Sequence, residues 1–385
     1  MSGYKCSMSN KLFNSFFMGG FECSTHRTRS GKRLDMITAT RHDSHAFADY
    51  ERLRNRGIYT ARDGVRWHII EKAPYQYDFS SVLAMLRAAR HAEIQIIWDL
   101  CHYGWPDDLD IFSHEFIRRY AEFAKAFAHT LKNETDDIPF ICPINEISFF
   151  SWASGEVGYF YPYAEKRGNE LKIQLVRAVI EGIEAVWDVN PEARIVHTDP
   201  LINIIADPAR PDCNAEAEAY RLSQFAAWDM IGGRLYPQLG GHDKFLDIIG
   251  VNFYPHNQWM FDSLPYNPSF AIDRSNSLYK PFRQMLIENY ERYKRPLFIA
   301  ETGAEGDLRL DWLRYVCDEV RVALRAGATI EGICLYPIIN HPGWDDDRHC
   351  HNGLWDYPDS SGERKIYEPL ADELRSQMHL FGLTR

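Results

Sequence analysis

Short apolar runs recur along the chain, and longer segments with helical spacing separate most of them. Runs of four to eight apolar and β-branched residues are typical of strands buried on both faces, as in a parallel sheet. Eight runs are predicted strands: 16–23, 58–67, 94–102, 138–146, 194–198, 246–254, 296–301 and 332–338. Segments with apolar residues three or four positions apart are predicted helices: 46–56, 82–92, 115–131, 170–188, 214–230, 279–293, 311–326 and 368–381. Eight strands alternating with helices predict an α/β fold, a (β/α)8 TIM barrel, with residues 1–385 as a single domain.

The long irregular regions follow predicted strands, at 105–113, 147–167, 255–277 and 340–365. In a TIM barrel the loops that follow the strands form the catalytic face. These loops are rich in aromatic and acidic residues, a composition that favours a sugar-binding pocket over a phosphate site.

Two glutamates end predicted strands. Glu146 closes the run IPFICPINE, and Glu301 closes PLFIAE. Retaining glycosidases use one carboxylic acid to protonate the leaving oxygen and one carboxylate to attack the anomeric carbon, roughly 5 Å apart. The negative charge of one glutamate also raises the pKa of its neighbour and keeps it protonated. We predict that Glu146 is the acid/base and Glu301 the nucleophile; the alternative is a pair of solvated strand-end side chains.

The net charge of the chain, and the absence of several motifs, argue against some classes of function. A formal net charge of -11 at pH 7 and a pI near 5.8 argue against binding of nucleic acid or anionic membranes. The sequence has no apolar run of 18 residues and no signal-peptide pattern, which predicts a soluble, cytoplasmic protein. It also lacks GxGxxG, GxxxxGK[ST] and GxSxG motifs, so neither a nucleotide cofactor nor a serine nucleophile is expected.

The cysteines indicate the redox state of the chain, and one polar loop offers possible metal ligands. Eight cysteines are scattered without CxxC pairs, which favours reduced thiols in the core. The run from Asp345 to His351 offers oxygen, nitrogen and sulfur ligands, but it lacks the spacing of zinc or EF-hand sites. We therefore expect no metal, and we interpret this run as a lid loop over the pocket.

Several motifs in chain order resemble those of the retaining β-glycosidases of glycoside hydrolase clan A, and most of all family 1, which contains β-glucosidases and β-galactosidases. FFMGG and RDGVRW resemble the first two strands of the family, and DLCHYGWP is similar to its DLxHxxxP. PINEI stands where the family has TFNEP, GVNFY where it has GxNYY, and IAETG where it has ITENG. The resemblance covers nearly the whole chain and implies a TIM barrel that hydrolyses β-glycosides.

The resemblance also implies roles for single residues. Arg62 and Tyr254 would hydrogen-bond Glu301 and hold it ionised. Asn145 would bind the sugar 2-hydroxyl, an interaction that tightens in the transition state. His102 and Asn252 would serve the glycone subsite, the part of the pocket that holds the sugar to be cleaved off. For Arg62 and His102, a purely structural role in the core is the alternative.

The sequence departs from the family around the glycone. His26 stands where the family has a glutamine, Tyr336 replaces its platform tryptophan, and Gly343 replaces its glycone-binding glutamate. Candidates for an altered glycone shell follow: Glu22, His26, Asp345, Asp346, Asp347 and Arg348. Stacking faces for a sugar ring could come from four aromatic residues: Trp105, Trp152, Tyr336 and Trp344.

The sequence thus predicts a retaining, exo-acting β-glycosidase that takes a small soluble carbohydrate substrate. Two alternatives remain: a transglycosidase with the same site, and a non-catalytic sugar-binding barrel. The glycone, the aglycone and the oligomeric state are left open.

Overall fold

The computed structural model describes residues 12–261 and 271–383. Eight parallel strands close into a barrel, because the first strand pairs with both the second and the last. The barrel strands are β1 Phe17–Gly20, β2 Thr60–Gly64, β3 Gln95–Asp99, β4 Phe140–Cys142, β5 Arg194–Pro200, β6 Ile248–Asn252, β7 Leu297–Thr302 and β8 Ile330–Leu335. Each overlaps one predicted strand, and the prediction of a (β/α)8 TIM barrel is confirmed.

Helices surround the barrel, and all but Asn214–Leu222, which packs on the added strand Asn203–Ala206, lie around the eight strands. The helices are His42–Asn55, Ser80–His91, His114–Glu134, Gly168–Val189, Asn214–Leu222, Ala226–Ile231, Phe282–Tyr293, Leu308–Arg325 and Glu368–Leu380. In His114–Glu134 the Ser113 side chain accepts a hydrogen bond from the Phe116 backbone N–H and so caps the helix. Phe116, Tyr120, Phe123 and Phe127 follow at helical spacing and are buried against the strands.

The inside of the barrel is a packed core. Met18, Ile97, Val196 and Phe298 point inward from four different strands and are fully buried. Phe13 closes the N-terminal end of the barrel, with its ring centroid 5.3 Å from that of Phe140 and 5.1 Å from that of Phe298. Because this end is filled, a ligand can enter only from the end where the strands terminate.

Several regions predicted to be irregular contain secondary structure. Residues 147–167 begin with the helix Ile147–Ser151 and the π-helical turn Trp152–Glu156. Asn203–Ala206 pairs in parallel with Gln258–Phe261, and two short hairpins lie between residues 341 and 366. These strands have two to four residues, too few for an apolar pattern to emerge. Part of the predicted loop 255–277 lies outside the described residues.

Two other features bear on the sequence predictions. Among the described residues, no helix is both long enough and apolar enough to cross a membrane. The seven cysteines in the described part of the chain are free thiols, six of them buried.

Candidate active site

A cavity of about 900 Å³ opens at the C-terminal ends of the barrel strands. Both predicted catalytic glutamates line it, one from the tip of β4 and the other from β7. The other predicted site residues that line it are Glu22, His102, Trp152, Tyr254, Tyr336 and Trp344. The barrel therefore brings together side chains that lie more than 300 positions apart in the sequence.

Glu301 is held by two donors. The Arg62 Nη1 donates to Glu301 Oε1 at 3.0 Å, and the Tyr254 hydroxyl donates to Oε2 at 2.9 Å. The guanidinium of Arg62 is itself fixed, because it also donates to the Ala300 carbonyl at 2.9 Å and to Asp99 Oδ2 at 2.6 Å. Burial raises the pKa of Glu301, and the positive charge of Arg62 opposes this. Both donors favour the ionised form of Glu301.

Glu146 has a different environment. The Asn252 Nδ2 donates to its Oε1 at 2.8 Å, and the Tyr103 hydroxyl donates to its Oε2. No ion pair reaches Glu146 among the described residues. Burial, and then the negative charge of Glu301, raise the pKa of Glu146 to about 8. Arg62 favours the charged form of Glu301 and no positive group in the described structure pairs with Glu146, so a proton shared by the pair is held more readily by Glu146.

Two backbone conformations in this region are strained. Glu146 has φ 48° and Tyr103 has φ 68°, both in the left-handed region that side chains disfavour. Their side chains are hydrogen-bonded to each other. Tyr103 was missed by the sequence analysis, although its position directly after His102, at the end of a strand, marked it as a residue of the catalytic face.

Asn145 and Asn252 lie behind the glutamates and are fully buried rather than facing the cavity. The Asn145 Oδ1 accepts hydrogen bonds from Arg62 Nη2 at 3.0 Å and from Thr198 Oγ1 at 2.6 Å. Its Nδ2 lies 3.0 Å from His102 Nε2 and 3.1 Å from the Tyr103 hydroxyl. In this arrangement the two asparagines orient the surrounding polar side chains, whereas the sequence had predicted sugar contacts for them.

His102 reaches the cavity from the end of β3. Its Nδ1 lies 3.1 Å from both Asp99 Oδ2 and the Cys23 sulfur. These three side chains are close enough to suggest a metal site. However, Arg62 already occupies the same Asp99 oxygen, and burial raises the pKa of the Cys23 thiol well above its ordinary value. This donor set does not fit a metal ion, because a thiol binds metals as the thiolate.

Besides Asn252, two predicted substrate-binding residues do not line the cavity. Trp105 is only 2% exposed, its Nε1 donates to the Leu109 carbonyl at 2.9 Å, and its ring packs against Phe150 in the core. The prediction that it stacks on a sugar is therefore corrected. His26 is also buried; its ring stacks on Phe160 and forms a T-shaped contact with Trp344.

The predicted lid loop is tied to the rest of the chain by polar contacts. Asp345 accepts a hydrogen bond from the Tyr159 hydroxyl at 2.7 Å. Asp347 pairs with Lys32, and Arg348 pairs with Glu305. Trp344, just before them, lines the cavity. The charged residues of this loop thus hold it in place and do not themselves face the cavity.

The far side of the cavity was largely missed by the sequence analysis. Apolar and aromatic side chains dominate there, and those that line it are Phe149, Trp152, Ile202, Tyr220 and Trp259. Trp152 alone was foreseen as a stacking residue. Phe149 lies in the short helix after β4 and Trp259 in the added strand pair, elements that the sequence pattern did not reveal. Tyr220 lies in the helix Asn214–Leu222, within the predicted helix 214–230, but its place in the cavity was not foreseen.

No family model matches the sequence, and no curated protein matches it. Solved structures do match. A β-glucosidase from Thermotoga maritima in complex with castanospermine superposes with a TM-score of 0.77 at 13% identity, over 97% of this chain and 99% of that chain. The AHE enzyme from Alicyclobacillus herbarius gives 0.76 at 16% identity, over 95% and 98%. A family 1 β-glucosidase from Thermotoga maritima gives 0.74 at 13% identity, over 98% and 100%. At these identities the likeness establishes a shared fold over the full length.

Proposed function

We propose that the protein is a retaining β-glycosidase related to glycoside hydrolase family 1. The observation that carries this proposal is the unequal pair of glutamates facing one cavity. Glu301 is held by Arg62 and Tyr254 as an ionised nucleophile, and Glu146 has a raised pKa that suits a general acid. The fold shared with β-glucosidases and the motifs around both glutamates support the same conclusion.

The proposed reaction has two steps. Glu301 attacks the anomeric carbon while Glu146 gives its proton to the departing glycosidic oxygen, which leaves a covalent glycosyl-enzyme. Loss of the Glu146 proton leaves a carboxylate that takes a proton from water as the water attacks the intermediate. Asn252 and Tyr103 can stabilise that carboxylate, because both donate to it. The β configuration is regained after two inversions.

The shape of the cavity supports action on a chain end or a small glycoside. One end of the barrel is filled by core side chains, and the loops after the strands wall the other end around the two glutamates. The buried free thiols support the prediction that the protein works in the cytoplasm.

The mechanism is tested by trapping and by rescue. A 2-deoxy-2-fluoro glycoside with a good leaving group is expected to add the mass of one fluorosugar to Glu301. The fluorine slows both steps, but the good leaving group keeps formation of the intermediate fast, so its hydrolysis becomes the slow step and the intermediate accumulates. In Glu146→Gln, added azide should yield a β-glycosyl azide; in Glu301→Ala, it should yield the α anomer. Peptide mapping and NMR provide the readouts. A first product with inverted configuration, or a label on another residue, would overturn the mechanism. Product analysis in the presence of an added alcohol separates a hydrolase, which releases the free sugar, from a transglycosidase, which forms the alkyl glycoside.

A further inference from the structure

Glu22 lies just beyond β1 and lines the same cavity as Glu146 and Glu301. It is 7% exposed. Its Oε1 accepts a hydrogen bond from the Ser24 backbone N–H at 3.0 Å and another from the Ser24 hydroxyl. Its Oε2 receives no hydrogen bond from any described residue, and that oxygen is the part of the carboxylate available to a ligand.

The other buried carboxylates show that Glu22 is unusual. Ten acidic side chains are buried in the described part of the chain. Seven of them form ion pairs with arginine or histidine: Asp49, Asp63, Glu71, Asp99, Asp229, Glu301 and Glu319. Three do not: Glu22, Glu146 and Asp199. Glu146 and Asp199 have pKa values raised to about 8 and about 7, so each can be neutral near physiological pH.

The nearby positive charges are already committed to other groups. Arg62 donates to Asp99 and Glu301, and His102 turns its Nδ1 toward Asp99. Neither forms an ion pair with Glu22 in the described structure. A buried carboxylate that lacks a positive partner is costly, because both water and a counter-charge have been removed. In a binding cavity, a cationic group of the ligand can supply the missing charge.

The position of Glu22 indicates which part of the ligand would carry this charge. Burial is the largest influence on the pKa values of four nearby groups, and the negative charge of Glu22 pushes each of them upward: Glu301, Tyr254, Tyr336 and His102. Glu22 is therefore close to the residues around the nucleophile. The sugar that becomes attached to Glu301 occupies this end of the cavity. The apolar far side, where Trp152 and Trp259 lie, is left for the leaving group.

We propose that Glu22 binds a protonated amine on the sugar to be cleaved off, so that the substrate is a β-glycoside of an amino sugar. The proposal rests on the proposed glycosidase function and adds the class of glycone. A sugar hydroxyl could donate one hydrogen bond to Oε2, but it would leave the carboxylate charge uncompensated. An ammonium group supplies both a hydrogen bond and the opposite charge.

The first test compares 4-nitrophenyl β-glycosides that differ by one substitution of hydroxyl by amine, at C2, C3, C4 or C6 of the gluco and galacto sugars. We expect kcat/KM for one amino glycoside to exceed that of its hydroxyl parent by about tenfold or more, the effect of one charge-assisted hydrogen bond. Glu22→Gln should remove this preference, so that the amino glycoside and its hydroxyl parent have similar kcat/KM values, because glutamine still accepts from Ser24 but carries no charge. Glu156→Gln, which alters a carboxylate at the far side of the cavity, is the matched control and should retain the preference.

A binding measurement separates failure of this inference from failure of the proposed reaction. Calorimetry on Glu301→Gln with methyl β-glycosides of the same sugars does not depend on turnover. Tighter binding of an amino sugar, lost when Glu22→Gln is added, supports the role of Glu22 even if no glycoside is cleaved. Hydroxyl parents that are cleaved and bound as well as every amino analogue would overturn it and leave the glycosidase intact. If Glu22→Gln lowered the affinity for the amino sugars and for their hydroxyl parents equally, this would also overturn the proposal and assign Glu22 to hydroxyl binding.

Discussion

Replacing Arg62 with glutamine tests the polar core of the site most directly. Arg62 is fully buried and donates hydrogen bonds to four acceptors, two of which are the carboxylates of Asp99 and Glu301. Glutamine occupies part of the same volume and keeps a donor, but it removes the positive charge. Two buried carboxylates, those of Asp99 and Glu301, then lose their positively charged partner, although Asp99 retains its contact with His102.

The expected cost follows from that loss. Removing one partner of a buried ion pair destabilises a protein by about 3–5 kcal/mol, because the remaining charge is left without water or a counter-charge. Since Arg62 pairs with two carboxylates, we expect Arg62→Gln to lower the free energy of unfolding by about 4 kcal/mol. The matched control is Arg364→Gln, which removes an equally buried guanidinium whose partner, Asp49, keeps Arg52. It should cost about 3 kcal/mol.

The pH dependence of the effect has a definite sign. Although burial raises the pKa of Asp99, Arg62 and His102 hold it below its ordinary value. In Arg62→Gln the pKa values of Asp99 and Glu301 in the folded state rise, while their values in the unfolded state remain about 4. The folded variant therefore binds more protons than wild type, and the loss of stability grows as pH increases from about 4 to 7.

Urea unfolding at several pH values, together with kcat/KM on an aryl β-glycoside, gives the readout. We expect Arg62→Gln to lower kcat/KM by about 100-fold or more, because the nucleophile loses its charge partner. Arg364→Gln should be destabilised but retain its activity, since its partner lies outside the cavity. A loss below about 1 kcal/mol for Arg62→Gln, or one independent of pH, would refute the reasoning. Equal loss of activity in both variants would refute the assigned role of Arg62.

Three further predictions use single contacts. The kcat/KM of wild type should fall as pH rises through about 8, where Glu146 loses its proton. Because the Tyr103 hydrogen bond lowers the pKa of Glu146, Tyr103→Phe should move this alkaline fall to higher pH. The measurement is a pH–rate profile of both proteins, and an unchanged profile in the variant would contradict the prediction. Trp105→Ala should lower the free energy of unfolding, measured in urea, by about 3–5 kcal/mol and leave KM nearly unchanged, since Trp105 packs in the core. A large rise in KM without a loss of stability would instead place Trp105 in the substrate site. In Gly20→Ala the new Cβ would overlap the Tyr336 ring, so KM should rise, and an unaffected KM would show that the ring moves freely.

The barrel, and the two glutamates that face one cavity, could be predicted because each depends on short-range signals. Buried parallel strands must be apolar on both faces, so all eight appear as runs, and each glutamate directly follows such a run. The direction of a side chain within a loop carries no comparable signal. Trp105 and Tyr103 are two residues apart in the same turn, yet Trp105 packs into the core and Tyr103 hydrogen-bonds Glu146. Only the fold of the turn, with Tyr103 at φ 68°, separates them.

The assignment of roles to the two glutamates shows a second limit of the sequence. Both are strand-end glutamates that follow apolar runs, and the residues themselves are chemically identical. Their difference comes from the partners that other strands supply. Glu301 receives hydrogen bonds from Arg62 in β2 and from Tyr254, which follows β6. Among the described residues, Glu146 receives hydrogen bonds only from uncharged donors. Burial, and then the charge of Glu301, raise the pKa of Glu146. The proposed roles, with Glu301 as nucleophile and Glu146 as acid, therefore depend on one arginine placed next to one of the two glutamates. The same reasoning extends to Glu22, a third carboxylate in the cavity, for which the described structure supplies no positive partner.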